Sequence, residues 1–453
     1  MAKKPRELTE LFRLGLPMVA TQFFIMAMGF MDTAMAGHYR SVDLAGVALG
    51  GHIMWPVFML MSGLNMALTP MSANLRGEGK IGDIGALVRQ GLWLAVIASA
   101  VTVLILFNAT PLLALFDVDP DAADIAIRYL DAAAWGMPGV MLYVTLRYVC
   151  EGLGHTLPPM YIAAGALVVN AALNYIFIYG KLGLPEMGGE GCGWATAITM
   201  WLQLGLILIL LRRPWFKATG LMDRFEGLRL SNILRIAKVG GPIGVTVFLE
   251  MAIFSVIGLL IGSLGITALS AHSIAGNINW ATFVIPMSIG SAASIRVGFF
   301  VGSGDFAYAR KVVVTATKVT ICYGIVASGL VLAGRHIIPG IYSADPAVLA
   351  LASQLLIILA VYLMADCIQA TTVGCLRGYK DTRVPMVISF AGYWMIALPL
   401  GVVLGFGYVG SELGVFGFWM GMAVGLVIVA ILACVRLYQT ATNDERIARF
   451  LAI

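Results

Sequence analysis

The chain has 453 residues, of which 60% are hydrophobic and only 12% charged, and its mean hydropathy is +0.91. A soluble domain is about half apolar and about a quarter charged, so this composition excludes a soluble protein and indicates a polytopic membrane protein. The net charge of +5 is no sign of nucleic-acid binding, because basic residues of such proteins mostly mark the cytoplasmic face. The six cysteines form no CxxC motif or Cys/His cluster, so we expect no disulfide framework, no zinc site and no bound cofactor.

The first apolar run, residues 11–37, contains a single carboxylate, Asp32. A helix of about 20 apolar residues crosses the hydrocarbon of a bilayer, where a carboxylate costs a few kcal/mol or more. Asp32 either binds a cation or a proton, or only hydrogen-bonds to a neighbouring helix or reaches the far membrane surface; we favour the first. The basic N-terminus precedes no short apolar core with a small-residue cleavage site, so we predict a retained membrane anchor instead of a removable signal peptide.

Apolar runs separated by polar breaks predict an all-α membrane protein with twelve transmembrane helices. Asp119-Pro120 and Asp345-Pro346 are typical of helix starts, with an acidic N-cap and proline in the first turn. The longest polar break divides the chain into an N-terminal lobe (1–211), a linker (212–233) and a C-terminal lobe (234–453). The predicted spans are 11–37, 46–72, 86–112, 123–149, 158–180, 192–212, 234–263, 270–299, 311–334, 347–375, 384–407 and 413–438.

The distribution of basic residues predicts the orientation in the membrane. About 24 of the 29 Lys and Arg residues fall at the two ends of the chain and in the even-numbered connections, the linker included. The positive-inside rule then places both termini in the cytoplasm and Asp32 in the outer half of the first helix. Arg147 and Glu151, four residues apart near the basic face, are predicted to form a solvated ion pair.

The two halves of the chain are related in sequence. Matches that persist over more than a hundred positions are hard to obtain by chance, and each half has six spans, so the halves are parallel repeats about an axis along the membrane normal. This is the plan of a two-lobed transporter with its substrate site between the lobes. A shift of about 225 residues aligns Pro17 with Pro242, Gly37 with Gly262, Gly51 with Gly276 and Gly79 with Gly304, and one residue more aligns Asp119-Pro120 with Asp345-Pro346 and Pro159-Met160 with Pro385-Met386.

The repeat shows that the scaffold does not require its intramembrane polar groups. Asp32, Glu250, Asp366, Asn170 and Asn174 align with Ile257, Ile25, Val140, Ile396 and Leu400 respectively. Each half has therefore acquired its own polar set, which favours a functional role.

In the N-terminal lobe, Asn170 and Asn174 share one helix face, Thr196 adds a hydroxyl and Asp32 adds the charge. One carboxylate with several neutral oxygens suits a small monovalent cation such as Na⁺. The alternative is an interhelical hydrogen-bond cluster, at about 0.6–2 kcal/mol per bond.

In the C-terminal lobe, Glu250 and Asp366 are the carboxylates expected deep in the membrane. Two acids in one dry pocket favour binding of a proton, or of a cation such as Na⁺ between them. Tyr362 and Gln369 lie about one turn on either side of Asp366 and could complete this site. In the alternative interpretation the two acids face different cavities and never meet.

Several stretches together resemble the multidrug and toxic compound extrusion (MATE) transporters, with the bacterial NorM type as the most similar branch. They are GFMDTAMAGH (29–38) with Leu44-Ala45-Gly46, PIGVTVFLE (242–250), AHSIAGNI (271–278) and DCIQATTVGCLRGYKDT (366–382). The resemblance covers nearly the whole chain.

The resemblance implies a V-shaped pair of six-helix bundles in a bacterial inner membrane, with no nucleic-acid partner, and we expect a monomer. It implies export of cationic, often aromatic, drugs in exchange for Na⁺ or H⁺. Asp32 matches the family's coupling acid on helix 1, and Asn170, Asn174 and Thr196 match its polar neighbours. Glu250 and Asp366 match the acids of a C-lobe cation site. Another branch has an aspartate where this chain has Asn174, so that branch's proton-only mechanism is in doubt here.

Two other functions remain as alternatives. A flippase for a lipid-linked or oligosaccharide-lipid substrate would share the two-lobed plan, but we would expect arginines in its cavity, whereas the intramembrane charge here is mostly acidic. An enzyme is disfavoured because the sequence has no GxSxG, HExxH or P-loop motif, and the missing P-loop also argues against direct use of ATP.

Overall fold

The structure is a computed structural model that describes residues 7–113 and 119–451, without the side chain of Leu112. The outer limits of the predicted lobes, both chain termini and residues 114–118 lie outside this part. The helices are α1 (Glu7–Tyr39), α2 (Ser41–Met66), α3 (Leu68–Gly77), α4 (Ile84–Phe107), α5 (Thr110–Leu113), α6 (Pro120–Ala134), α7 (Met137–Gly152), α8 (Leu157–Ile178), α9 (Gly189–Leu210), α10 (Pro214–Lys217), α11 (Leu230–Gly262), α12 (Ile266–Gly302), α13 (Phe306–Gly334), α14 (Pro346–Gly378), α15 (Arg383–Phe390), α16 (Leu398–Gly405), α17 (Val415–Ala441) and α18 (Asp444–Leu451).

Eleven helical stretches in the described part are long and apolar enough to cross a membrane, and they match eleven of the twelve predicted spans. The remaining one, 123–149, falls on α6 and α7, which are separated at Trp135 and Gly136. Pro138 follows at once and has no N–H to donate, so the hydrogen-bond ladder is interrupted there. A second irregularity is the π-helical segment Ala391–Ala397, which joins α15 to α16. The all-α fold predicted from the sequence is confirmed.

The backbone repeats with the same shift as the sequence. Asp119 and Asp345 both cap the helix that follows them by accepting hydrogen bonds from backbone N–H groups, as predicted. Gly154, with φ of 83°, aligns with Lys380, which has φ of 61°. A lysine held in the left-handed region shows that the scaffold requires this turn, because only glycine adopts it without strain.

The chain folds into two compact units, which we call the N unit (Leu16–Gly244) and the C unit (Met1–Gly15 with Val245–Ile453, as far as these are described). The divisions fall inside α1 and α11, each within three residues of the aligned prolines Pro17 and Pro242. The predicted lobe limits, drawn from the polar breaks, remain a prediction.

In the N unit, α6 packs against α2 and α9, α4 packs against α7, and α8 packs against α9. One expectation is wrong here: Arg147 and Glu151 on α7 form a buried ion pair with an Nε–Oε1 distance of 2.7 Å, not a solvated one. The i, i+4 spacing predicted the pairing correctly, but not that this face of α7 points into the unit.

In the C unit, the most extensive packing is between α12 and α14. The two helices touch backbone to backbone at Gly290 and Gly374, where a Cβ on Gly374 would collide with the main chain of Gly290. Small residues allow this approach, which in a membrane provides the van der Waals packing that holds helices together.

Replacing Gly374 with alanine is therefore expected to destabilise the C unit by about 1–3 kcal/mol, because rigid backbone cannot move aside for the methyl group. Thermal unfolding of the purified chain in detergent measures this loss. Gly329→Ala in α13 is the matched control, since a Cβ there meets nothing within 4 Å. Equal melting temperatures for the two variants would show that the α12–α14 contact yields easily.

Candidate functional site

Four of the predicted site residues meet in the N unit, contributed by three helices. Asp32 is on α1, Asn170 and Asn174 are on α8, and Thr196 is on α9. Asn174 Nδ2 donates to Asp32 Oδ1 at 2.6 Å and to Asn170 Oδ1 at 3.2 Å, and Thr196 Oγ1 donates to Asp32 Oδ2 at 3.2 Å. The i, i+4 spacing of the two asparagines puts them on one face of α8, and that face points to the carboxylate.

The Asp32 carboxylate has only neutral partners. Its side chain is 8% exposed and both asparagines are fully buried. No ion pair to Asp32 is found within residues 7–113 and 119–451. The Oδ1 atom of Asn174 is also buried without a hydrogen-bond donor. A buried carboxylate beside a free carbonyl oxygen is an arrangement that a proton or a small cation can complete.

Two further residues border this cluster and were not anticipated. Cys192 Sγ lies 3.5 Å from the main-chain oxygen of Asp32. Tyr129 on α6 is 3% exposed and interacts electrostatically with Asp32. The sequence shows Tyr129 only as a tyrosine within a predicted span. Membrane helices contain many tyrosines, so this position alone does not indicate a contact with Asp32.

The C-unit candidates are also brought together, on α11 and α14. Gln369 Nε2 donates to Glu250 Oε1 at 2.6 Å. Asp366 is 5% exposed and lies three residues before Gln369 on α14, so it shares the helix face that the Gln369 hydrogen bond holds against Glu250. No hydrogen-bond donor to the Asp366 carboxylate is found in the part of the chain that the structure describes. Tyr362 is buried and interacts electrostatically with both acids.

Aromatic residues that the sequence reasoning missed pack around this pair. Tyr362 makes edge contacts with Phe254, at 6.2 Å between ring centroids, and with Trp419, at 5.8 Å. Trp419 is fully buried and donates its Nε1–H to His272 Nδ1 at 3.2 Å. His272 therefore uses Nδ1 as an acceptor, which fixes its neutral Nε2–H tautomer.

The π-helical segment lies against the same acids. Tyr393 interacts electrostatically with Glu250 and Asp366, and Trp394 Nε1 donates to the main-chain oxygen of Leu249 at 3.4 Å. Short π-helical segments within α-helices occur frequently at functional sites. No periodicity in a uniformly apolar run could have predicted this local change.

The acids of the two clusters are few and are accompanied by neutral oxygens. Within the described ranges there is no group of three or more His, Cys, Asp or Glu side chains that could hold a metal. One or two carboxylates with neutral oxygens suit a proton or a monovalent cation.

Comparison with known proteins identifies the family. The MatE family model matches the chain twice, at residues 17–176 and 242–403. The two matches begin at Pro17 and Pro242, which are the first pair aligned by the internal repeat. The family model thus describes one repeat, and the chain contains two.

Individual relatives agree with this match. The chain is 40% identical over 443 residues to "Multidrug resistance protein PmpM" of Pseudomonas aeruginosa, covering 97% of this chain and 93% of that protein. It shares its fold with the eukaryotic MATE transporter AtDTX14, with a TM-score of 0.88, 21% identity and 98% coverage of both chains. The MATE transporter VcmN of Vibrio cholerae, in its bent form, gives a TM-score of 0.84 with 19% identity over 97% of this chain and 98% of that one. The chain therefore belongs to the MatE family, the family of the MATE transporters.

Proposed function

We propose that the chain is a secondary active multidrug efflux antiporter, which exports cationic, often aromatic, drugs in exchange for Na⁺ or H⁺ by alternating access. The observation that supports this most is the Asp32 cluster: a buried carboxylate that has neutral hydrogen-bond donors and no cationic partner in the described chain. The name of the relative PmpM points to drug resistance, and the family contains transporters.

Coupling requires that the ion binds one conformation more tightly than the other. A ligand shifts a conformational equilibrium only by its differential affinity for the two states. In the proposed cycle an incoming cation or proton neutralises Asp32 and favours the outward-open state. Asn174 bridges Asp32 and Asn170, so a change at the carboxylate reaches α8 directly.

The acid pair Glu250 and Asp366 is proposed as a second coupling site. Two buried carboxylates repel each other when both are ionised, and a shared proton or Na⁺ removes this cost. Gln369 orients Glu250 through a 2.6 Å hydrogen bond, and Tyr362 borders both acids.

The remaining features of the proposal come from charge distribution and family resemblance. The protein would be a monomer of the bacterial inner membrane, with both termini in the cytoplasm and its basic connections on that side. Its lobes would be residues 1–211 and 234–453, joined by a cytoplasmic linker. No cofactor and no ATP would be needed.

Efflux of a fluorescent organic cation from proteoliposomes, under separately imposed Na⁺ and pH gradients, tests the proposal. We expect an inwardly directed gradient of the coupling ion to drive efflux. A gradient of the other ion should have little effect. Collapsing the gradient with an ionophore should stop transport, which provides the control. Transport of a lipid-linked substrate with no response to cationic dyes would favour the flippase and reject the antiporter.

A further inference from the structure

The linker between α9 and α11 is fastened to the start of α4. Arg89 donates through Nη1 to the main-chain oxygens of Gly220 and Leu221, at 2.7 and 3.1 Å, and through Nη2 to the Glu226 carboxylate at 3.0 Å. The Gly85 N–H donates to the main-chain oxygen of Thr219 at 2.7 Å. The hydrogen bond from Arg89 lowers the pKa of Glu226, so this contact remains ionised at neutral pH.

Two more side chains of α4 hold the second half of the linker. The Gln90 side-chain amide binds the linker backbone through both of its polar atoms. Its Nε2 donates to the main-chain oxygen of Gly227 at 3.0 Å, and its Oε1 accepts from the N–H of Arg229 at 2.8 Å. Trp93 Nε1 donates to the main-chain oxygen of Glu226 at 3.0 Å. The repeat replaces these two residues of α4 with Thr315 and Lys318 in α13, so the fastening belongs to the linker and not to the shared scaffold.

Fastened in this way, the linker exposes apolar side chains. Leu221 and Glu226 point inward and are buried, whereas Met222 is 72% exposed and Phe225 is 87% exposed. Leu228 is 49% exposed. Phe225 makes an edge contact with Trp93, with 6.4 Å between the ring centroids, but most of its surface stays exposed. Large apolar side chains that remain exposed on a fixed backbone mark an interaction site.

The same segment is basic. Residues 212–229 contain five Lys and Arg residues and two acids, and one of these acids, Glu226, is paired with Arg89 and Arg224. Arg212, Arg213 and Lys217 are exposed, and none of them makes an ion pair with another described residue. The positive-inside rule explains why this segment is basic. It does not explain the exposed apolar residues or the fixed backbone.

The position of the linker determines what it can meet. α9 and α11 are both spanning helices, so the segment that joins them lies at a membrane surface. Basic residues with apolar neighbours at that depth match anionic phospholipid, whose phosphate binds Lys and Arg while apolar side chains enter the acyl boundary.

We propose that the linker surface, formed by Arg212, Arg213, Lys217, Met222, Phe225 and Leu228, docks onto anionic phospholipid of the adjacent leaflet. The three basic side chains bind the phosphate head groups, and the three apolar side chains insert at the acyl boundary. Arg89, Gln90 and Trp93 of α4 hold the backbone of the linker in place for this contact.

Phosphatidylglycerol binding to the full-length chain in mild detergent, followed by native mass spectrometry, tests the basic part. We expect the triple variant Arg212→Gln, Arg213→Gln, Lys217→Gln to bind phosphatidylglycerol about tenfold more weakly and phosphatidylcholine unchanged. The control removes an equal charge outside the linker, with Lys311→Gln, Arg383→Gln and Arg449→Gln, and should bind like wild type. Equal weakening in both variants would overturn the proposal, because it would show a general effect of the basic face.

An environment-sensitive probe on Phe225→Cys tests the apolar part. Cys322 is exposed and is replaced with serine, so that the probe does not label it. In nanodiscs containing phosphatidylglycerol we expect blue-shifted emission from position 225, which the triple linker variant should reverse. Emission typical of water in these nanodiscs would show that the loop points away from the membrane, and would overturn the proposal. Neither readout depends on transport, so the proposed antiport function can fail while this surface stands.

Discussion

Asp32→Asn is expected to reduce ion-driven efflux by about 10- to 100-fold, the range of a typical coupling free energy between two sites. The substitution keeps the shape of the side chain and an oxygen that can accept from Asn174 or Thr196, so folding should be preserved. It removes the negative charge that the cluster offers to a cation or proton. Ion-driven efflux of a fluorescent cation, normalised to the protein recovered in the membrane, measures the effect.

Thr33→Val is the matched control because it changes the next residue of the same helix. The Thr33 hydroxyl donates only to main-chain oxygens of its own helix, at Gly29 and Phe30, so its loss should leave efflux near the wild-type rate. Wild-type efflux from the Asp32→Asn variant would remove Asp32 from the coupling mechanism. Equal losses in both variants would indicate damage to α1 instead of lost coupling.

The sequence predicted the long helices and the internal repeat well, because both depend on local signals. An apolar run of sufficient length has few alternatives to a spanning helix, since the bilayer leaves no water to satisfy backbone groups. The caps at Asp119 and Asp345 follow from an acid placed before proline, and the structure has both. Asn170 and Asn174 were expected on one face because a helix brings every fourth residue to the same side.

What the sequence could not predict is how each helix is rotated about its axis. The helices of soluble proteins have one apolar face and one polar face. The membrane helices of this chain are apolar on all faces, so hydrophobic periodicity does not show which face packs inside the protein. The sequence therefore predicts a solvated ion pair for Arg147 and Glu151, whereas the structure shows the pair buried. For the same reason Tyr129 and Trp419 were not assigned to the two acid clusters.

The two clusters differ in how their acids are satisfied. Asp32 accepts from two donors, whereas Asp366 has no donor in the described chain and interacts with a second acid, Glu250. An ionised buried carboxylate without donors is costly unless a proton or cation accompanies it. The C-unit pair should therefore respond more strongly to the presence of the coupling ion than the Asp32 cluster does.

Wild-type protein in detergent is accordingly expected to be stabilised by its coupling ion, by about 2.7 kcal/mol at a hundred times the dissociation constant. Asp366→Asn and Glu250→Gln should each lose the part of this stabilisation that comes from the C-unit pair, because each leaves one acid there without a second charge to share the ion. Asp366→Asn should also raise the melting temperature in the absence of the ion, since it removes an uncompensated buried charge. Melting curves recorded against Na⁺ concentration at fixed pH, and against pH without Na⁺, measure both effects and identify the ion.

Ser255→Ala is the control on the same helix as Glu250, because the Ser255 hydroxyl donates only to the main-chain oxygen of Met251. It should keep the full ion-dependent stabilisation. The change in melting temperature without the ion separates a binding role from a structural one. If the Asp366 carboxylate only held α11 and α14 together, its replacement would lower the melting temperature. A lower ion-free melting temperature for Asp366→Asn, with an undiminished response to Na⁺ and pH, would contradict the C-unit coupling site, because the acid would then stabilise the fold without binding the ion.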